Sequence, residues 1–267
     1  MSDALDRIAA ALDRLAPPPP AAPDLLAHPA YVWRAGTLTP ARSFSPLPLD
    51  TLVGLDQQRD ALLATLRRLA AGHAAHDVLL WGARGTGKSA LAKAAVAAVQ
   101  GEGGALALVE AAGVDDLAAL FAILAAAPRR FALFLDDLAF ADAGEARGLR
   151  SLLEGGAEAR PGNVRLIVTS NRRHLVPRDI AEQSSAINPR DAVDDQLALA
   201  DRFGLSLGFH MLDQEGYLAI VAGHTARHDL PFDPADAIGW ATRRGSRSGR
   251  VAWQYVVELA GSKGRAL

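Results

Sequence analysis

The chain has 267 residues, 50% of them hydrophobic and 22% charged, with a formal net charge of −2. That balance suits a soluble globular protein with enough chain to bury a core without disulfides or a structural metal. It excludes nucleic-acid binding by bulk positive charge, leaving only a local basic patch for that purpose. The chain has no cysteine, which rules out disulfides, Cys-ligated zinc, iron–sulfur clusters and thiol nucleophiles and fits a reducing compartment.

Residues 2–16 are predicted as a short amphipathic helix, with Leu5, Ile8, Leu12 and Leu15 at helical spacing. Asp3, Asp6, Arg7, Asp13 and Arg14 break the apolar stretch, so it does not read as a signal peptide. No run of about 18 uncharged apolar residues predicts a membrane span, and the expected location is cytoplasmic. Pro17–Pro20, with Pro23 after them, cannot continue a helix and read as an extended linker. Residues 24–50 are rich in proline and carry Tyr31, Trp33 and Phe44, which predicts an irregular arm lying on the main body.

From residue 50 apolar strands alternate with helices. A helix is expected over about 56–71, then a strand at Val78–Trp81, a glycine-rich turn and an alanine-rich helix from Lys88 to Gln100. Strands follow at Leu106–Val109, Phe131–Leu135, Val164–Thr169 and Leu205–Phe209, with helices over 114–127 and 145–154. Continuous apolar strands separated by helices predict a parallel sheet covered on both faces. After Phe209 the strands stop. Asp213, Asp233 before Pro234, and Ser248 each offer a helix cap. The expected organisation is an N-terminal helix, linker and arm over 1–49, an α/β domain over 50–209, and a small all-helical lid over 210–267.

Gly82-Ala83-Arg84-Gly85-Thr86-Gly87-Lys88-Ser89 fills the pattern G-x-x-x-x-G-K-[ST] between a predicted strand and a predicted helix. Glycines let successive backbone N–H groups approach a polyphosphate, and the helix that follows turns the positive end of its dipole toward the same anion. Lys88 can reach the β- and γ-phosphates, and Ser89 can ligate magnesium. The strand Phe131–Leu135 delivers Asp136 and Asp137 to the carboxyl edge of the sheet. Alone, such a pair reads equally as a turn cap. Beside a complete phosphate loop, Asp136 reads as the group holding magnesium through water and Asp137 as the base that orients or activates the attacking water. Asn171, ending the next strand, can orient that water or cap its own turn. Arg202 and Arg250 are candidates for neutralising γ-phosphate charge, although each alone reads as a surface arginine.

The ordered series Lys88, Asp136 and Asp137, Asn171, Arg202, Arg250 resembles that of the AAA+ ATPases from about residue 47 to the C-terminus. The resemblance implies a three-layer P-loop NTPase α/β core followed by a helical AAA+ lid. It places Val53 and Gly54, within Leu52-Val53-Gly54-Leu55, in a hinge segment beside the adenine. It makes Asn171 the first sensor, Arg202 an arginine finger and Arg250 the second sensor. The closer resemblance is to a bacterial family catalogued as domain of unknown function 815. It is carried by Leu79–Ser89, by Thr169-Ser170-Asn171-Arg172-Arg173-His174-Leu175 and by Asp201-Arg202-Phe203-Gly204-Leu205.

What the resemblance implies is binding and hydrolysis of ATP with Mg2+, self-association on ATP binding, and an unidentified protein client. Charge does not point to nucleic acid as partner, and no membrane is implicated. Most AAA+ proteins carry Asp-Glu where this chain has Asp136-Asp137, and the shorter side chain predicts slow turnover. A module that holds ATP without turnover and a P-loop small-molecule kinase are the rival readings. His224 and His228, four apart, lack the acidic partner of a metalloprotease pattern and read as a solvated helix face. Arg172-Arg173-His174 reads as a surface cluster, and Lys263 and Arg265 as a charged tail.

Overall fold

The computed structural model describes residues 23–114, 116–138, 143–154, 160–171 and 202–267, and isolated positions 4, 5 and 7. The rest of the expected helix over 2–16, the Pro17–Pro20 linker and the Arg172–His174 cluster lie outside the described residues. One sheet contains β1 (Ala30–Arg34), β2 (Thr37–Pro40), β3 (Val78–Gly82), β4 (Leu106–Ala111), β5 (Arg130–Leu135), β6 (Val164–Ser170) and β7 (Leu205–Phe209). Its order is β2-β1-β4-β5-β6-β3-β7. Every pairing is parallel except that of β1 with β2.

The strands read as unbroken apolar runs because both of their faces are buried. Leu79, Leu133 and Val168 pack with Leu117, Leu120 and Leu124 of α3 (Leu117–Ala125) and with Leu149 of α4 (Ala143–Glu154). Their neighbours Leu80, Phe134 and Ile167 face the other way, onto α1 (Asp56–Ala70) and α2 (Lys88–Gly101) through Leu66, Leu91 and Val96. The result is a three-layer α/β core.

The chain between residues 30 and 40 is not an irregular arm. β1 pairs in parallel with β4, so the sheet begins at Ala30 and runs through the boundary expected near residue 50. Ala30, Tyr31, Trp33 and Leu38 are buried. The hairpin turns on Ala35 and Gly36, both at positive φ (49° and 69°), as a two-residue loop requires. Pro40 sits on the edge strand, where a missing N–H costs no ladder bond.

Beyond β7, α5 (Gln214–Arg227), α6 (Pro234–Arg243) and α7 (Gly249–Ser262) share their own core of Tyr217, Val221, Ala241, Ala252 and Val256. Asp213, Asp233 and Ser248 cap these helices through side-chain acceptors. Lys263 and Arg265 are not a loose tail. They donate to the carbonyls of Pro231 and Asp229, each at 2.8 Å, and tie the end of α7 to the α5–α6 connection. Among the described residues no helix is long and apolar enough to cross a membrane.

Candidate nucleotide-binding site

The strand order brings the carboxyl ends of β5, β6 and β3 side by side, and the loops leaving them build the site. At the end of β3 the chain passes so close to β7 that a Cβ on Gly82 would lie 2.0 Å from the carbonyl oxygen of Phe209. Gly85, at φ 77°, is covered by the lid, and a Cβ there would fall 2.8 Å from the Ser248 side chain. Thr86 closes the loop by donating its hydroxyl to the Ala83 carbonyl at 2.8 Å.

Lys88 opens α2 and is only 7% exposed. Its ammonium donates to the carbonyls of Gly82 (2.7 Å) and Ala83 (2.8 Å) and approaches Asn171 Oδ1 at 3.5 Å. Burial pushes its pKa down, and the carboxylates of Asp137 and Asp136 partly oppose that shift.

The two carboxylates are held differently. Asp136 Oδ1 accepts from Ser89 Oγ at 2.5 Å and from Thr169 Oγ1 at 2.7 Å. Asp137 takes a left-handed backbone conformation, φ 51°, which aspartate adopts more readily than most residues. Its N–H donates to Thr169 Oγ1 at 2.7 Å, and the N–H of Leu138 donates to the Thr169 carbonyl at 2.8 Å. The Asp137 carboxylate accepts from the Asn171 amide and pairs with Arg84 at 3.2 Å. One buried hydroxyl on β6 thus fixes both acids at the end of β5.

These groups floor a cleft of about 920 Å³. Its walls are Leu52, Val53 and Gly54 on one side and Ile220, His224 and Trp253 of the lid on the other, with Arg250 at the rim. Among the described residues, Val53 packs onto the lid's core, and two polar contacts join the lid to the α/β core. Gly249 N–H donates to the Gly85 carbonyl at 3.0 Å, and Arg227 pairs with Asp50 at 2.5 Å.

The structure brings Val53, Gly54, Arg84, Gly85, Thr86, Gly87, Lys88, Ser89, Asp136, Asp137, Asn171 and Arg250 to this one cleft, and Gly82 and Ala83 hold the ammonium of Lys88 beneath it. It does not bring Arg202 there. β7 starts at Leu205 opposite Val78, the first residue of β3, so Arg202 lies beyond the amino-terminal edge of the sheet, away from the loop. The expectation of a solvated face at His224 is also corrected. His224 is 7% exposed, its ring centroid 5.1 Å from that of Trp253. It shares the inner stripe of α5 with Tyr217, Ile220 and Val221, an i, i+3, i+4, i+7 spacing visible in the sequence. Burial lowers its pKa, assisted by Arg227 and His228. Thr169 and Trp253 also line the cleft, and nothing in the local sequence marks them as part of a site.

The donor set fits a magnesium ion. Ser89 Oγ and Asp136 Oδ1 are adjacent hard oxygens, and magnesium is usually held by one or two such groups plus water and phosphate. Among the described residues no cluster of three or more His, Cys, Asp or Glu side chains is placed to hold a metal ion.

The fold is that of the AAA+ P-loop ATPases. The branch-migration motor RuvB of Thermotoga maritima superposes with a TM-score of 0.53 at 20% identity, covering 78% of this chain and 62% of that one. The ORC2 protein of Aeropyrum pernix, solved as ADPNP–ADP complexes, gives 0.54 at 15% identity over 84% and 66%. The ORC1 protein of the same organism, in complex with DNA, gives 0.52 at 15% over 76% and 60%. The chain therefore spans less than two thirds of the length of each. No curated protein sequence matches it. Residues 26–263 match the family described as "Protein of unknown function (DUF815)", and the chain belongs to that family.

Proposed function

We propose that this protein binds Mg-ATP in the cleft between sheet edge and lid, hydrolyses it slowly, and uses the nucleotide state to move the lid against a client. One observation carries the reading: Lys88, Ser89, Asp136, Asp137 and Asn171, from three adjacent strand ends, lie within one hydrogen-bonded cluster.

When bound, magnesium supplies a Lewis acid that draws charge from the β- and γ-phosphate oxygens. Ser89 and Asp136 would hold it. The loop's backbone N–H groups cradle the phosphates, and Lys88 exchanges the carbonyls of Gly82 and Ala83 for phosphate oxygens. Asp137, held by Asn171, accepts a proton from the attacking water. Arg250 answers the charge that develops on the γ-phosphate. Leu52, Val53 and Gly54 flank the base. Arg202, on the far edge of the sheet, acts on the nucleotide of a second copy, so turnover requires self-association. The client in this reading is an unidentified protein; a net charge of −2 does not point to nucleic acid, and a local basic patch is the route left to it. The site of action is the cytoplasm.

The test is calorimetry with a non-hydrolysable ATP analogue, joined to a phosphate-release assay without acceptor. The wild-type chain takes up the analogue and assembles with it, and Lys88→Ala weakens uptake by at least about tenfold. Absence of uptake, or uptake indifferent to Lys88→Ala, would refute the reading. Binding without phosphate release at any protein concentration identifies a non-hydrolysing module. Phosphate release that requires an added acceptor identifies a kinase.

A further inference from the structure

The phosphate loop carries two cations, and in this structure they do different things. Lys88 is turned inward onto loop carbonyls. Arg84, the third residue of the loop, reaches across the mouth of the cleft to Asp137, with its guanidinium 3.2 Å from Oδ2 and its side chain 77% exposed. Asp137 is the carboxylate next to which the terminal phosphate and its attacking water would sit. It has only two side-chain partners among those described at the site, Arg84 and Asn171.

We propose that Arg84 is a γ-phosphate ligand supplied by the loop itself, parked on Asp137 while the cleft is empty and transferred to the terminal phosphate when ATP enters. The proposal rests on reading the cleft as an ATP site. An exposed ion pair contributes little to stability, so Asp137 holds Arg84 loosely. A terminal phosphate offers more negative charge and several oxygens in a geometry that suits a guanidinium fork, and it wins the competition. The transfer has a second consequence. Asp137 loses one of its two partners at the moment the γ-phosphate arrives and keeps Asn171, which leaves a carboxylate oxygen open to the attacking water. With ADP there is no terminal group to draw Arg84 away, and the carboxylate stays occupied. Arg84 therefore distinguishes ATP from ADP and frees the base only in the ATP state.

The experiment compares affinities for a non-hydrolysable ATP analogue and for ADP, by calorimetry, in wild type, Arg84→Ala and Arg84→Lys. The side chain is solvent-exposed, so the variants fold, and their melting curves serve as the check. Arg84→Ala is expected to weaken the ATP analogue by roughly 10- to 100-fold while ADP changes by less than about threefold, and Arg84→Lys recovers part of the loss. An equal loss for both nucleotides marks a loop defect and overturns the proposal, as does no loss for either. A wild-type chain that takes up neither nucleotide sinks the ATP reading itself, which is a different result from a wild type that binds both and an Arg84→Ala chain that behaves the same.

Discussion

Thr169→Val is the sharpest probe of how the acidic pair is built. The substitution keeps shape and volume while deleting one hydroxyl that is 1% exposed in residue terms. That hydroxyl donates to Asp136 Oδ1 at 2.7 Å and accepts the Asp137 N–H at 2.7 Å. A bond to a charged acceptor contributes about 1.5–3 kcal/mol, and Asp136 is exposed enough for water to replace part of it, so the low end applies. The stranded Asp137 N–H costs about 1–3 kcal/mol if it finds no other partner. The left-handed turn at Asp137 then relaxes, returning about 1 kcal/mol of backbone strain. The net loss is about 2–3 kcal/mol, which lowers the melting midpoint by roughly 4–12 °C for a chain of this size. Thr169→Ser keeps the hydroxyl and removes one buried methyl, a loss of about 1 kcal/mol. Thermal melts followed by circular dichroism measure both, and magnesium-dependent nucleotide uptake falls with Thr169→Val alone. If the valine variant melts as high as the serine variant, the hydroxyl does not fix the acids.

Two further outcomes follow from the cleft wall and the lid contact. His224 has its folded-state pKa below the ordinary value of 6.5, so between the two values the unfolded chain binds the extra proton. Stability is complete above about pH 6.5 and is lost as pH falls from there through the folded value. Denaturant titrations across that window should show a smaller acid loss for His224→Gln than for wild type. Gly85→Ala places a methyl 2.8 Å from Ser248 in a left-handed backbone position, costing at least about 1–2 kcal/mol. The lid's first turn is pushed off the loop, and hydrogen exchange at the Gly249 amide, now bonded to Gly85 O, accelerates; unchanged exchange refutes the contact as a determinant.

What the sequence discloses here depends on distance along the chain. The phosphate loop is legible because its eight residues carry their function in consecutive backbone, and the strands because burial on both faces leaves no polar interruption. The β1–β2 hairpin was hidden by Pro29, Pro40 and the prolines after it. Its turn is Ala35-Gly36, which lacks the asparagine or aspartate that usually announces such a loop. In the sequence Thr169 is only a strand end. Its role arises because β6 lies beside β5, a fact of topology absent from local spacing. His224 was misjudged for a different reason. Paired with His228 it reads as a solvated face, whereas its spacing from Tyr217 and Val221 places it on the buried stripe. Asp136, Asp137 and Asn171 could be placed from strand ends alone, but the pairing of Arg84 with Asp137 spans 53 residues and required the structure.

The attachments of the lid bear on how nucleotide could move it. A neutral backbone bond between Gly249 and Gly85 contributes about 0.5–1.5 kcal/mol. The Arg227–Asp50 pair, its aspartate 75% exposed, adds about 0–1 kcal/mol. Polar contacts this weak add little to the packing of Val53 on the lid core in fixing the lid position seen here. A ligand shifts such an equilibrium by its differential affinity for the two positions and by nothing else. On the proposed reading, Arg250 in the lid and Arg84 in the loop answer the same terminal phosphate. A charge-assisted contact from Arg250 to that phosphate is worth about 1.5–3 kcal/mol, comparable with the two polar contacts together. On that reading ATP biases the lid by a contact that ADP lacks, and the difference needs no unfolding of either domain.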